Sequence, residues 1–277
     1  MSVQAADVKK LREVSGAGFM DCKKALAQSN GDLEQAKRIL KEQGMAKAEK
    51  KSSRDASEGA VVFKIADDKH SAALVEINCE TDFVARSDTF QSFSALVADV
   101  VLSQKLSDTT ELLAAPLDGY ANVEAARHEA VLKLGENIQV ARAQYINANA
   151  DFIAGYSHGN GLSVAVVLNN DAPEVGKNIA MHIAALNPAA VKDTDIPEAL
   201  LQDERNIYLK QLQDTKKPQE ILDKIIEGKM KKFAAGLCLY GQAYVKEPKQ
   251  TVAEYLQQSG CDVQQFVRFA LGEAVAE

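Results

Sequence analysis

Residues 59–77, GAVVFKIADDKHSAALVEI, hold the pattern that decides the fold. Two apolar stretches, 59–65 and 72–77, flank the polar run Asp67–His70, and this arrangement is typical of a β-hairpin. Apolar residues then recur at helical spacing from Phe90 to Val100, which predicts a helix after the hairpin. The sequence therefore predicts a small antiparallel sheet that is covered by a helix.

The same order of elements returns about 90 residues later along the chain. Strands are predicted at 152–156 and 162–168 around the turn 158–161, and a helix follows with apolar residues from Val175 to Leu186. We interpret this recurrence as a weak internal duplication that gives two related α+β subdomains. The alternative, that any two units of a hairpin and a helix look alike, stays open at this level.

Residues 1–44 have a purely helical pattern and are predicted to form a separate three-helix module. Asp32 with Gln35 resembles a capping box at the start of the third helix, and Gly44 is predicted to end that helix. The basic, polar stretch 45–56 that follows is typical of a solvated linker. Residues 1–54 carry 12 Lys and Arg against 7 Asp and Glu, a net charge of +5, whereas the remainder carries 20 against 32, a net charge of −12.

A second helical stretch at 197–233 is predicted to form a hairpin of two helices with a break at 215–218. The predicted fold class is thus α+β. A three-helix module precedes a core of two related subdomains with antiparallel sheets, and the helical hairpin is inserted into the second. The predicted domains are 1–44 for the module, 45–56 for the linker, 57–140 for the first subdomain and 141–277 for the second.

The composition weighs against several classes of function. The chain of 277 residues has a net charge of −7, 6% aromatic residues and no Trp, which disfavours a nucleic-acid coat or a base-stacking platform. Its four cysteines form no Cys-x-x-Cys pair, so neither a disulfide framework nor a structural zinc site is expected. The N-terminus has no secretory pattern and no stretch is apolar enough for a membrane span, so we expect a cytoplasmic protein without cofactor or metal.

Signals for catalysis are weak in this sequence. It contains no P-loop, no dinucleotide-binding fingerprint, no zinc-protease motif and no nucleophile elbow. His182 lies on an apolar helix, which favours a packed core histidine, and His158 in a glycine turn is expected to be an exposed contact residue. A hydrolase with Cys79 as nucleophile and one of these histidines as base is a minor alternative.

The segment 78–86, NCETDFVAR, is unusual because it places Phe83 among polar residues between a buried strand and the next helix. An aromatic side chain at such a turn either fills the core of its own domain or protrudes into a partner. From the residues alone, the first interpretation is favoured and the second stays open.

Four motifs in the same order over essentially the whole chain resemble the bacterial translation elongation factor Ts family. They are LR at 11–12 with SGAGFMDCKKAL at 15–26, NCETDFV at 78–84, IAMHIAA at 179–185 and EGKMKKF at 227–233. The resemblance implies a guanine-nucleotide exchange factor for elongation factor Tu, with an N-terminal module similar to ubiquitin-associated domains. It also implies binding to the GDP-bound and the nucleotide-free partner, without direct contact to nucleic acid or membrane.

The resemblance further implies the roles of particular residues. The turn of Thr81, Asp82, Phe83 and Val84 would be a wedge that disturbs the magnesium site beside the nucleotide bound to elongation factor Tu. This implication reverses the preference for Phe83 as a core residue. The other implied partner contacts are Arg12, Phe19, Met20, Lys23, His158, Val245 and Lys246.

Two interpretations of the hairpin 197–233 stay open. The hairpin either mediates self-association into a homodimer or is a solvated arm.

A departure from the family pattern and two alternatives accompany this interpretation. Many relatives have Gly-Met-Met-Asp where this chain has Gly18-Phe-Met-Asp21, an apolar exchange that should keep a docking surface. An adaptor of the ubiquitin-associated type would bind a partner through residues 1–54 alone and would not accelerate nucleotide exchange. The hydrolase based on Cys79 is the second alternative.

Overall fold

The computed structural model describes residues 3–212 and 218–273. Within these ranges the chain divides into two compact units. The first unit contains residues 3–147, 157–163 and 269–273, and the second contains residues 148–156 and 164–268.

Three helices begin the first unit: α1 (Ala5–Ser15), α2 (Phe19–Gln28) and α3 (Leu33–Lys51). Gly16 ends α1 in the left-handed conformation with φ of 66°, and the Asp32 carboxylate caps α3 by accepting hydrogen bonds from the backbone N–H groups of Glu34 and Gln35. The predicted N-terminal helical region is therefore confirmed. Its small core contains Val8, Leu11, Cys22, Ala25, Leu26, Ala36 and Leu40.

The prediction that Gly44 ends the third helix is wrong, because α3 continues to Lys51. Gly44 lies against α7 (Val123–Leu134), where a Cβ atom at position 44 would be 3.3 Å from the carbonyl oxygen of His128 and 3.5 Å from Cβ of Leu132. The glycine thus lets two helices approach closely. Residues 45–51, which were predicted to be part of the linker, are therefore helical, because they form the last part of α3.

The first sheet of the core consists of β1 (Glu58–Ile65), β2 (Ser71–Cys79) and β3 (Gln139–Asn147), all antiparallel, with β2 in the centre. Both strands of the predicted hairpin are confirmed. The helices between β2 and β3 are α4 (Asp82–Ala85), α5 (Asp88–Gln104), α6 (Thr109–Ala114) and α7. They pack on this sheet through a core that includes Val75, Ile77, Phe90, Val97 and Val131.

The second sheet has the order β4 (Phe152–His158), β5 (Leu162–Leu168) and β6 (Val263–Ala270). Helix α8 (Pro173–Leu186) follows β5, and its apolar residues pack with the strands in a core that includes Val164, Val166, Ile179 and Ile183. Two three-stranded antiparallel sheets with covering helices confirm the predicted α+β class. The internal duplication stays an interpretation, to which the equal strand order of the two sheets adds support.

The remaining helices are α9 (Glu198–Leu212), α10 (Gln219–Leu237) and α11 (Val252–Gln258), with short 3-10 turns at Asp193–Asp195 and Leu239–Gly241. Helices α9 and α10 contact each other and form the expected hairpin, of which only Ile226 is buried among the residues that the structure describes. The predicted break at 215–218 lies outside the described residues, apart from Pro218. In the described ranges, no helix has the length and apolar character needed to cross a membrane.

Candidate functional site

Phe83 lies on α4, a single helical turn directly after the buried strand β2. Thr81 caps this turn, since its hydroxyl oxygen accepts a hydrogen bond from the backbone N–H of Val84 over 3.4 Å. The Phe83 side chain is 83% exposed. The interpretation that Phe83 fills its own core is therefore wrong, and the turn presents a large apolar ring to solvent.

A carboxylate from a distant part of the chain holds the start of this turn. The Glu136 side chain accepts hydrogen bonds from the backbone N–H groups of Glu80 and Thr81 over 3.1 and 3.0 Å, and from the Thr81 hydroxyl over 2.6 Å. The Glu80 carboxylate in turn accepts a hydrogen bond from the backbone N–H of Asn137 over 2.7 Å. Sequence reasoning missed Glu136, because a polar residue after a helix-ending glycine has no distinguishing pattern.

The end of the turn is held by nearby residues. The Ser87 hydroxyl donates a hydrogen bond to the carbonyl oxygen of Val84 over 2.7 Å, and the Gln91 side chain donates one to the carbonyl oxygen of Ala85 over 2.6 Å. Ala85 is buried and Val84 packs against the core of the first unit. The backbone of residues 80–85 is thus fixed on both sides, while the Phe83 ring remains exposed.

The stretch that joins α3 to β1 contacts the base of the same turn. The Asn137 side chain donates a hydrogen bond to the carbonyl oxygen of Arg54 over 2.9 Å, and the Arg54 guanidinium lies 3.3 Å from the Glu80 carboxylate. The Lys51 ammonium donates to the carbonyl oxygen of Gly135. Residues 51–54 are therefore attached to the residues that follow β2 and α7, rather than forming a freely solvated linker.

Cys79 lies beneath the turn and is buried. Burial, with a smaller contribution from the charge of Glu136, raises the pKa of its thiol to about 11. Its sulfur donates a hydrogen bond to the carbonyl oxygen of Thr81 over 3.2 Å. Because the thiolate is the reactive form, a protonated and buried thiol argues against the hydrolase alternative.

The implied docking residues of the N-terminal module are exposed. Phe19 and Met20 begin α2 and are 49% and 57% exposed, and Arg12 and Lys23 are exposed as well. Phe19 and Lys23 are four residues apart and share a face of α2. Cys22, Ala25 and Leu26 occupy its buried face. The module therefore presents apolar and cationic side chains next to each other.

His158 ends β4 and is exposed, as predicted from its position in a glycine turn. The following residue, Gly159, has φ of 56°, a conformation that favours glycine. The turn is held at its base by a hydrogen bond of 2.9 Å between the hydroxyl groups of Ser157 and Ser163.

His182 is fully buried in the second unit, which confirms that it is a packed core histidine. Its Nδ1 accepts a hydrogen bond from the backbone N–H of Val245 over 3.2 Å, so its Nε2 carries the proton and donates to Oε1 of Gln242 over 2.9 Å. Burial lowers the pKa of the imidazole, and the Gln242 contact acts in the opposite direction. Sequence reasoning did not detect that His182 positions the implied contact residue Val245.

The implied contact pair Val245 and Lys246 lies in the loop before α11. The Val245 side chain is 41% exposed, although its backbone N–H is fixed by His182. The Lys246 ammonium donates a hydrogen bond to Oδ1 of Asn178 over 2.5 Å. The loop is therefore tied to α8 at two successive residues.

Across residues 3–212 and 218–273, His, Cys, Asp and Glu side chains form no group of three or more that could hold a metal ion. The candidate sites in this part of the chain are instead exposed side chains on rigid backbone. Exposed side chains on well-held backbone are suited to contact with another macromolecule.

Comparison with known proteins identifies relatives of this chain. The family model described as elongation factor TS matches residues 80–273. The protein named elongation factor Ts from Thioalkalivibrio sulfidiphilus is 46% identical over 276 residues, which cover 99% of this chain and 94% of the relative. Proteins of the same name from Methylococcus capsulatus and Hydrogenovibrio crunogenus are 43% and 42% identical, each over 275 residues that cover 99% of this chain and 94% and 93% of the relative.

Proposed function

Since the chain belongs to the elongation factor Ts family, we propose that it expels GDP from elongation factor Tu by inserting the Phe83 ring into that partner. Members of this family are the guanine-nucleotide exchange factors of elongation factor Tu in translation elongation. The observation that carries this mechanism is the 83% exposure of a phenylalanine on a turn whose backbone is held by hydrogen bonds on both sides. A large apolar ring that is exposed in the free protein gains burial when it enters a cleft in a partner.

The target of the ring would be the magnesium site of elongation factor Tu. Magnesium requires nearly octahedral oxygen ligands and bridges the phosphate oxygens of the nucleotide. A small displacement of one coordinating element therefore weakens the binding of the metal and of GDP together. Thr81, Asp82 and Val84 would contribute by holding the turn and by contacting the partner beside the ring.

Exchange follows from coupling between the two ligands of elongation factor Tu. If the wedge lowers the affinity of elongation factor Tu for GDP, then bound nucleotide lowers its affinity for the factor by the same ratio. The factor therefore expels GDP, and incoming nucleotide expels the factor. The factor then accelerates exchange in both directions, and the excess of GTP over GDP sets the net direction. The protein acts as an exchange factor and does not change its partner covalently.

We propose that the N-terminal module makes a first contact through Arg12, Phe19, Met20 and Lys23. The net charge of +5 in residues 1–54 supports docking on an acidic surface of elongation factor Tu. His158 would form a second contact, and Val245 with Lys246 a third. Both are side chains on well-held loops, which limits the entropy lost on binding.

We further propose that the hairpin of α9 and α10 mediates self-association, with a solvated arm as the alternative outcome. This proposal is supported by the exposed apolar residues of the hairpin, which are Leu200, Ile207, Leu209 and Ile221. The protein would act in the cytoplasm, where translation takes place, through protein contacts and without direct binding to nucleic acid or membrane. The adaptor alternative differs because it predicts partner binding through residues 1–54 without faster exchange.

The test is GDP release from elongation factor Tu that has been loaded with a fluorescent GDP. Catalytic amounts of the wild-type protein should accelerate the release, and Phe83→Ala should reduce the acceleration about 30-fold or more, as expected for loss of an aromatic hot spot. Leu96→Ala, which removes another exposed apolar side chain of the first unit, is the matched control and should act like the wild type. Equal rates for Phe83→Ala and Leu96→Ala would refute the wedge.

A further inference from the structure

We propose that Glu136 is a positioning residue for the Phe83 wedge, an inference that rests on the proposed function. The carboxylate does not belong to the turn and lies 55 residues away from Thr81 in the chain. Its two oxygen atoms receive three hydrogen bonds from residues 80 and 81, the last two residues before the wedge helix begins.

The turn needs such a support because it is short. Helix α4 has four residues, and a single helical turn is unstable in water without contacts from outside. Phe83 adds little stability of its own in the free protein, since its ring is exposed. The direction in which the ring points must therefore be set by the residues that bind the backbone of the turn.

Glu136 differs from the other supports in what it fixes. Ser87 and Gln91 bind the end of the turn, but both belong to the segment that follows it directly in sequence. Glu136 follows Gly135, which ends α7 with φ of 78°, so its side chain ties the turn to a helix of the core. This contact orients the wedge relative to the body of the first unit.

The hydrogen bonds also explain the choice of a carboxylate at position 136. One oxygen, Oε2, accepts from two consecutive backbone N–H groups, which fixes the two peptide planes on either side of Glu80. The other, Oε1, accepts from the Thr81 hydroxyl, whose own oxygen is then left to accept from the Val84 N–H. A chain of hydrogen bonds thus runs from Glu136 through Thr81 to the residue next to Phe83.

The segments that contain Glu80 and Glu136 bind each other reciprocally, and two cations lie near their carboxylates. The backbone N–H of Asn137, next to Glu136, donates to the Glu80 carboxylate, so each of two neighbouring segments binds the backbone of the other. The Arg54 guanidinium lies beside Glu80, and the Lys51 ammonium binds the carbonyl oxygen of Gly135. These two cations offset the charge of two carboxylates placed close together.

The experiment measures the rate of GDP release as a function of the concentration of GDP-loaded elongation factor Tu. Glu136→Ala should lower the maximal rate, kcat, about 10- to 100-fold, which is the loss expected for hydrogen bonds to a charged group. Its KM should change much less, because the proposed docking residues on the N-terminal module are untouched. Glu136→Gln keeps one acceptor oxygen and should fall between Glu136→Ala and the wild type. Glu111→Ala, at an exposed glutamate of α6, is the matched control.

Two readouts separate positioning from a general loss of structure. When magnesium is removed with a chelator, the wild type and Glu136→Ala should release GDP at similar rates, because the wedge acts on the magnesium site. In the Phe83→Ala background, Glu136→Ala should add less than twofold, because the carboxylate acts through the ring. Thermal unfolding of each variant verifies that it is folded, and the Gln variant carries the test if the Ala variant is not.

The outcomes distinguish this inference from the proposed function. If Phe83→Ala slows exchange and Glu136→Ala and Glu136→Gln both act like the wild type, the positioning role is refuted while the wedge stands. The role is also refuted if the deficit of Glu136→Ala persists without magnesium or adds fully to that of Phe83→Ala. If Phe83→Ala itself exchanges like the wild type, the proposed function fails first.

Discussion

The buried histidine of the second unit allows a quantitative prediction. His182 connects α8 to the loop that carries Val245, with Nδ1 as acceptor and Nε2–H as donor. His182→Leu replaces the polar imidazole by an apolar side chain of similar size and leaves the Val245 N–H and the Gln242 Oε1 without their partner. Each unsatisfied buried polar group costs about 1–3 kcal/mol. Water can reach the half-exposed loop, so we expect a total loss of about 2–3 kcal/mol in the free energy of unfolding.

The pH dependence provides a second and independent readout of the same contact. Burial lowers the pKa of His182 below its ordinary value of 6.5, so the unfolded chain binds a proton more readily than the folded protein. The stability that the neutral imidazole contributes is therefore complete above pH 6.5 and is lost as the pH falls through the folded-state pKa. One proton can contribute a slope of at most about 1.4 kcal/mol per pH unit in this window.

Urea unfolding followed by circular dichroism at several pH values between 5 and 8 measures both effects. His182→Leu should lower the unfolding free energy at pH 8 and should make the slope below pH 6.5 smaller than in the wild type. The contribution of His128, whose pKa is also lowered by burial, should remain. His182→Asn, whose side-chain oxygen can replace Nδ1 as acceptor, should recover part of the stability and show the same reduced slope as His182→Leu. A Leu variant that loses less than about 0.5 kcal/mol and keeps the slope of the wild type would refute this reasoning.

Two further predictions concern a pair of glycines and a cysteine. Gly176→Ala should destabilise the second unit by about 1–3 kcal/mol in urea unfolding, because the new Cβ atom would lie 2.4 Å from Cβ of Ala154. Gly228→Ala, where no atom lies within 4 Å, should instead stabilise α10 by about 0.5–1 kcal/mol, and the same sign for both variants would contradict the argument. Cys79 should resist iodoacetamide at pH 8, because a thiol with a pKa of about 11 is ionised in roughly one molecule in a thousand. Mass spectrometry should detect its alkylation only after denaturation, and rapid labelling of the native protein would contradict the assignment.

Local patterns predicted many elements of the fold correctly. The alternation in 59–77 gives β1 and β2, and Asp32 caps α3 as its position before the helix predicts. These signals succeed because neighbouring residues determine periodicity, capping and turn conformation. The predicted helix end at Gly44 failed since α7, which is distant in sequence, covers that glycine and makes it a contact point rather than a stop.

The sequence by itself determined the class of the fold, the basic N-terminal module and, through its motifs, the family and the residues to inspect. It left open whether the Phe83 ring is buried, and it contained no sign that Glu136 or His182 supports a contact residue. The tertiary structure decided these points, because exposure and side-chain hydrogen bonds depend on pairs of residues that the fold brings together. Thr81 and Glu136 meet across 55 positions of the chain, and His182 and Val245 across 63. Local sequence patterns extend over a few residues and therefore cannot report such pairs.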